Sequence, residues 1–216
     1  ENLAREGIPA ERVTRVGNIM MDSYELVRPA IEGCGWPNEL GLTAGGYGVV
    51  TLHRPSNVDD PVKLAQLVDA LEIAQRQLPL VFPVHPRTRQ RLEAAGLLAR
   101  LERAGLKLVG PAPYIRFMAL VSDAAAIITD SGGIQEETTY LGIPCLTLRD
   151  NTERPITISE GTSRLVKADR LVETLAAALA EPRSARKRPA LWDGQTAQRC
   201  VADLRRRSSD KARVAA

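Results

Sequence analysis

Short apolar runs recur along the chain at residues 47–52, 80–84, 106–109, 124–129, 145–148 and 163–166, each closed by a polar or turn-forming residue. Between them lie stretches whose apolar residues fall three or four apart, as on one face of a helix. Such helical patterns cover 20–31, 88–95, 115–121, 135–141 and 169–180, and a last one covers 196–207. The clearest begins at Asp60-Pro61, a capping acid with proline in the first turn, and continues through Leu64, Leu67, Val68, Leu71, Ile73 and Ala74. Residues 1–8 read as the end of a helix, 12–16 as an alternating strand stopping at Gly17-Asn18, and 33–46 as a loop or linker rich in glycine and proline. Strands separated by helical stretches of about ten residues predict parallel βαβ units, hence an α/β fold with a Rossmann-like parallel sheet and helices on both faces. In such a sheet ligands collect beyond the carboxyl ends of the strands.

Composition changes this picture little. The 216 residues, 44% apolar and 25% charged, suit a soluble globular protein of one large domain or two small ones. No apolar run is long enough to cross a bilayer, and the opening ENLAREG lacks the charged-then-apolar order of a signal peptide, so a cytoplasmic protein without membrane contact is expected. Cys34, Cys145 and Cys200 are far apart, odd in number and without metal-type spacing, so they read as reduced structural thiols, and neither metal nor cofactor is expected. The net charge of +3 comes mostly from Arg183, Arg186, Lys187, Arg188, Arg205, Arg206, Arg207, Lys211 and Arg213. That is a solvated tail; a nucleic-acid surface would want a basic stripe through the folded body with interleaved aromatics.

The chemistry-bearing residues sit directly after the expected strands. His53-Arg54 follows the first, His85-Pro86-Arg87 the second, Gly110-Pro111 the third, Asp130-Ser131-Gly132-Gly133 the fourth and Arg149-Asp150 the fifth. Both histidines of the chain occupy equivalent strand ends, which favours function over a purely structural role. Ser131, Gly132 and Gly133 open a helix with free backbone N–H groups and no bulky side chain, a setting that favours phosphate. The same triplet also fits an ordinary strand-to-helix turn, and neither GxGxxG nor GxxxxGKS is present. Of Glu136 and Glu137, one turn on, the inward carboxylate would bind hydroxyls, as acids bind ribose in nucleotide sites. Arg149, Glu153 and Arg154 read as a charged cluster that fits a surface ion-pair set but, beside the glycine turn, is expected to serve an anion.

The motifs VTLHRPSNVDDP, VFPVHPRT, PAPYIRFMALVSDAAAIITDSGGIQEE, LGIPCLTLRDNTERPITISEGT and LWDGQTAQR resemble, in the same order, those of the non-hydrolysing UDP-N-acetylglucosamine 2-epimerase family. The resemblance covers nearly all of the chain and implies the C-terminal half of a glycosyltransferase-B type fold, with UDP-sugar held between two Rossmann-like halves. It implies residues 1–31 as the end of the N-terminal domain and hinge, 32–188 as the UDP-binding domain, and 189–216 as a crossing helix with a basic tail. It further implies that His53 is catalytic, near the diphosphate, and that Ser131, Gly132 and Gly133 hold the phosphates. By the same resemblance Glu137 binds the ribose hydroxyls, Phe117 lies against the uracil, Arg154 contacts the diphosphate or sugar, and Arg54 and His85 bind substrate.

The implied reaction is that of an isomerase: elimination of UDP across C1 and C2 to a 2-acetamidoglucal, then re-addition with C2 inverted, in the service of cell-surface polysaccharide synthesis. The family's proton-transfer carboxylates belong to the N-terminal half. Where many bacterial relatives read HRRE this chain reads HRPS, which argues against activation by a second UDP-sugar. A hydrolysing epimerase or glycosyltransferase on the same fold, and a non-catalytic nucleotide-binding fragment, are the alternatives. The expected partners are the UDP-sugar and either a second copy or an N-terminal half. Ala197, Cys200, Val201 and Leu204 make an apolar stripe on the last helix that is expected to pack on residues 1–31, dimerise, or leave the helix mobile.

Overall fold

The computed structural model describes residues 2–182 and 188–214, so the basic residues Arg183, Arg186 and Lys187 lie outside the described part. Two compact units are resolved, one of Val27–Pro189 and one combining Glu1–Leu26 with Ala190–Ala216.

The larger unit is built on six strands: β1 (Gly48–Thr51), β2 (Leu80–Pro83), β3 (Lys107–Val109), β4 (Ala126–Thr129), β5 (Cys145–Thr147) and β6 (Ser163–Leu165). All neighbouring pairs are parallel, in the order β3-β2-β1-β4-β5-β6. The longer helices among the described residues are α1 (Ile19–Glu32), α2 (Pro61–Gln77), α3 (Pro86–Ala94), α4 (Leu98–Arg103), α5 (Tyr114–Ser122), α6 (Gly132–Leu141), α7 (Leu171–Ala180) and α8 (Thr196–Val214).

Side chains alternate across a strand, and here both sets are buried. On one face Val50, Leu80, Phe82, Ala126, Ile128 and Leu146 pack with Leu64, Leu67 and Leu71 of α2, Leu101 of α4, and Leu171 and Leu175 of α7. The intervening Val49, Val81, Ile127 and Cys145 are just as buried on the other face, where α6 runs against β5 and α5 against α6. A sheet covered on both sides explains why its strands read as continuous apolar runs. The expected α/β parallel sheet is therefore the observed one.

Local chemistry sets the element ends. Asp60 caps α2, its carboxylate accepting from the N–H groups of Val62 (2.9 Å) and Lys63 (3.2 Å), with Pro61 following. Gly142 ends α6 in the left-handed region at φ 68°, which a side chain would strain.

In the smaller unit the expected strand over 12–16 is absent; a 3-10 turn at Ala10–Arg12 leads into unpaired extended chain. That segment spends its polar groups on α8 instead: Val16 O accepts from Arg199, and Thr14 donates to Asp203 and accepts from Arg207. Asp22 caps α8 from outside it, accepting from Thr196 N (3.1 Å) and Ala197 N (2.8 Å). A Cβ on Gly17 would lie 2.4 Å from Leu191 O, and its φ of 112° suits glycine alone.

The polar edge of α8 thus meets residues 14–22, while Ala197 is exposed and Val201 and Leu204 are 47% and 67% exposed, so the expected apolar packing on this segment is not what holds the helix. Helical turns at Trp36–Glu39, Pro55–Val58 and Ile156–Ser159, and the helix α4, also occur where no helix is expected from the sequence.

Replacing Asp60 by alanine should lower stability by about 1 kcal/mol through loss of the cap. In urea unfolding, the midpoint should fall with an unchanged slope; an unmoved midpoint would show that the cap contributes nothing.

Candidate functional site

The strand order reverses between β1 and β4: from β1 the chain moves outward to β2 and β3, from β4 the other way to β5 and β6. The carboxyl ends of these two central strands form the crevice where open parallel sheets take ligands. His53 and Arg54 leave β1 there, and Asp130, Ser131, Gly132 and Gly133 leave β4. Two hydroxyls lock the pair, Thr51 and Thr129 lying 2.6 Å apart, and Thr129 Oγ1 also accepts from Ser131 N at 3.0 Å. The start of the turn is therefore fixed by the strands themselves.

Asp130 organises the loops around it. Its carboxylate is fully buried and accepts from the backbone N–H of His53 (3.1 Å to both oxygens) and of Arg54 (2.9 Å), and from Asn57 Nδ2 (3.1 Å). His53 Nδ1 lies 3.1 Å from Oδ1. Asn57 carries the link on by donating to Leu148 O at the end of β5 (2.9 Å). Burial alone would push the Asp130 carboxyl up, but the hydrogen bonds from His53, Arg54 and Asn57 outweigh it and hold the group below its ordinary value.

The turn that follows is open to an anion. Ser131 is the N-cap of α6, yet its side chain caps no N–H, and the first turn holds no acid. The first N–H groups and the positive end of this helix are therefore left without a side-chain cap or an acid in the first turn. Two guanidiniums stand beside them: a Cβ built on Gly132 would lie 3.9 Å from Arg54 Nη2 and 4.0 Å from Arg149 Nη1. Arg54 is held by its Nε, which donates to Asp130 O at 2.9 Å. Arg149, with a side chain only 7% exposed, is gripped by Glu153 through bonds of 2.6 and 2.8 Å, and hydrogen bonding to Arg149 pulls the Glu153 carboxyl down to about 2.

One turn deeper, Glu137 is buried and accepts from the Tyr114 hydroxyl at 2.8 Å. Burial raises its carboxyl, the Tyr114 bond works against that rise, and neighbouring Glu136 adds to it. Tyr114 and the half-buried Phe117 are three residues apart on α5, hence on one face of that helix. Arg154 Nε pairs with Glu136 Oε2 at 3.1 Å, an ion pair without hydrogen-bond alignment. His85 caps α3, its Nδ1 accepting from Arg87 N (3.3 Å), and its ring centroid is 6.3 Å from that of His53. Among the described residues no three His, Cys, Asp or Glu side chains converge as a metal site would require.

Of the residues singled out in the sequence, the structure gathers His53, Arg54, His85, Ser131, Gly132 and Gly133 at neighbouring strand ends. Glu137 and Phe117 come from α6 and α5, and Arg154 is tied to α6 through the buried Glu136. Sequence reasoning gave no role to Asp130, Asn57 or Tyr114. Their signals were an acid immediately after a strand, an asparagine inside the first loop, and an aromatic one helical turn before Phe117. A cavity of about 670 Å³ lies nearby between α2 and the start of α7, but it shares only Asn57, Leu148, Arg149 and Asp150 with this region, and the glycine turn does not line it.

A doubly wound parallel sheet with a glycine turn and paired guanidiniums at its switch point defines a Rossmann-type α/β domain. The family model for UDP-N-acetylglucosamine 2-epimerase matches residues 1–205, and the chain belongs to that family. It is 37% identical over 172 residues to the UDP-N-acetylglucosamine 2-epimerase of Methanocaldococcus jannaschii, covering 76% of this chain and 47% of that protein. It is likewise 37% identical over 180 residues to the UDP-2,3-diacetamido-2,3-dideoxy-D-glucuronate 2-epimerase of Pseudomonas aeruginosa, covering 81% and 48%. The structure of the Methanocaldococcus jannaschii enzyme in complex with UDP-GlcNAc and UDP superposes with a TM-score of 0.80 at 33% identity, covering 94% of this chain and 57% of that one. The chain thus spans about half the length of the curated relatives it matches.

A raised carboxyl has a definite sign in stability. Glu137 costs the fold nothing below its ordinary unfolded value of about 4.3 and costs progressively more as pH rises through its higher folded value. Glu137→Gln should therefore raise the urea midpoint at pH 7, and the gain should vanish below about pH 4. A gain of equal size at both pH values would contradict this.

Proposed function

We propose that this chain is the UDP-binding half of a UDP-sugar 2-epimerase that interconverts UDP-N-acetylglucosamine and UDP-N-acetylmannosamine, with residues 32–188 as the nucleotide domain. The observation that carries this reading is the uncapped N-terminus of α6 at the sheet's switch point, with Arg54 and Arg149 beside Gly132. The diphosphate sits on the Ser131–Gly133 amides between the two guanidiniums. Glu137, one oxygen engaged by Tyr114, accepts from the ribose hydroxyls with the other, and Phe117 lies against the uracil.

In the reaction a base removes the C2 proton and the C–H electron pair becomes the C1–C2 double bond as the C1–O bond breaks. UDP departs with that bonding pair. Re-addition of the same oxygen to C1 and of a proton to the opposite face of C2 gives the epimer. The barrier falls where the leaving diphosphate's growing charge meets preorganised N–H groups and cations, which this half supplies. His53 stands at the same strand-end crevice as the catalytic group of this half, and His85 and Arg154 bind substrate at its rim. Carboxylates for proton transfer come from an N-terminal half.

Equal identity to two relatives whose names carry different sugars supports a division of labour in which this half holds the UDP portion and the other half selects the sugar. The exposed Val201 and Leu204 of α8 support assembly with a second copy or with an N-terminal half.

Calorimetry on this chain should show UDP binding between about 1 μM and 1 mM, equivalent to roughly 8 to 4 kcal/mol. Gly132→Ala should fold normally, because its methyl meets neighbours only at 3.9 Å and beyond, yet weaken UDP about tenfold or more. Glu137→Ala should weaken UDP more than pyrophosphate. No binding at millimolar UDP, or equal losses for both ligands, would overturn the assignment. With an N-terminal half supplied, turnover in D2O should place deuterium at C2 of a UDP-linked product; free sugar plus UDP would point to hydrolysis.

A further inference from the structure

We infer that Asp130 is a positioning residue that fixes the ring tautomer of His53, with the proton on Nδ1 and a bare, accepting Nε2, while His85 is held in the opposite tautomer. An ionised carboxylate can only accept hydrogen bonds, and the hydrogen bonds converging on Asp130 keep it ionised. His53 Nδ1, 3.1 Å from Oδ1, must then carry the ring proton, and the lone pair of the neutral imidazole lies on Nε2. The His53 backbone N–H is bound to the same carboxylate at 3.1 Å, which holds this residue's backbone against Asp130.

At His85 the logic is reversed. Arg87 N–H donates to Nδ1 at 3.3 Å, so Nδ1 is the acceptor and Nε2 bears the proton. The two rings lie 6.3 Å apart between centroids, tilted by 46°. One ring offers an accepting nitrogen and the other an N–H donor, on neighbouring strand ends beside the glycine turn. On the UDP-sugar reading, His53 Nε2 accepts a proton or hydrogen bond from the ligand, and His85 Nε2–H donates to a phosphate oxygen. The catalytic role rests on that reading; the tautomers rest on the Arg87 N–H bond to His85 and on the 3.1 Å approach of His53 Nδ1 to a buried carboxylate.

The test uses the full chain with 15N-labelled histidine. With only two histidines present, His85→Gln assigns both rings. Long-range 1H–15N spectra at about pH 8.5, well above the ordinary imidazole value, should show His53 protonated on Nδ1 and His85 on Nε2. In Asp130→Asn the carboxamide can donate to Nδ1, and the His53 tautomer ratio should move toward Nε2–H by about tenfold or more while the His85 signals stay in place. A wild-type His53 already protonated on Nε2 would overturn the inference, and that spectrum decides even if the variant fails to fold. So would a folded variant with an unchanged ratio. In an active assembly the variant should lower kcat with little change in KM; if the tautomers are as stated but kcat does not move, His53 has no proton-transfer role and only the catalytic use of the inference falls.

Discussion

The arrangement depends on one buried negative charge. A carboxylate fully removed from water is expensive unless donors surround it, and Asp130 collects them from the loop after β1: two backbone N–H groups, an asparagine amide and a histidine ring. Taking one hydrogen-bond donor from such a charge typically costs about 1.5–3 kcal/mol. The loop carrying His53, Arg54 and Asn57 therefore has one low-energy position relative to β4. Through Asn57 and Leu148 O the same charge reaches β5, where Arg149 begins the next loop. Three strand ends are held in register by one side chain.

The electrostatic result is a sorting of charge by depth. Asp130 has its negative charge buried, where its donors neutralise it, and Arg54, anchored through Nε to Asp130 O, keeps Nη2 toward Gly132. Arg149 is steadied by Glu153 from the solvent side, whose carboxyl is exposed. What faces outward at the turn is helix N–H groups and guanidinium. That surface suits a leaving phosphate and needs no reorganisation when charge develops.

Local signals made much of this legible. The Asp60 cap, the apolar strands and the α6 turn are short-range patterns, and each appears within a few residues of where the sequence puts it. What escaped were relations between distant parts of the chain. Nothing near Asn57 indicates that its amide bridges Asp130 and Leu148, and nothing near Tyr114 indicates Glu137. Residues 12–16 alternate like a strand, but an extended segment becomes a strand only with a partner; these residues give their polar groups to Arg199, Asp203 and Arg207. The apolar spacing on α8 was real, yet polar contacts and a cap from Asp22 fix that helix and leave Val201 and Leu204 in water.

On the proposed reading the switch-point turn takes the diphosphate. Backbone amide NMR of the 15N-labelled chain titrated with pyrophosphate tests it directly, because pyrophosphate carries the anion without base or sugar. The largest shifts should fall on Gly132, Gly133 and Ile134, with Arg54 following them at the same midpoint. Shifts centred instead on Lys63 and Lys167 around the 670 Å³ cavity, or none at millimolar ligand, would contradict it.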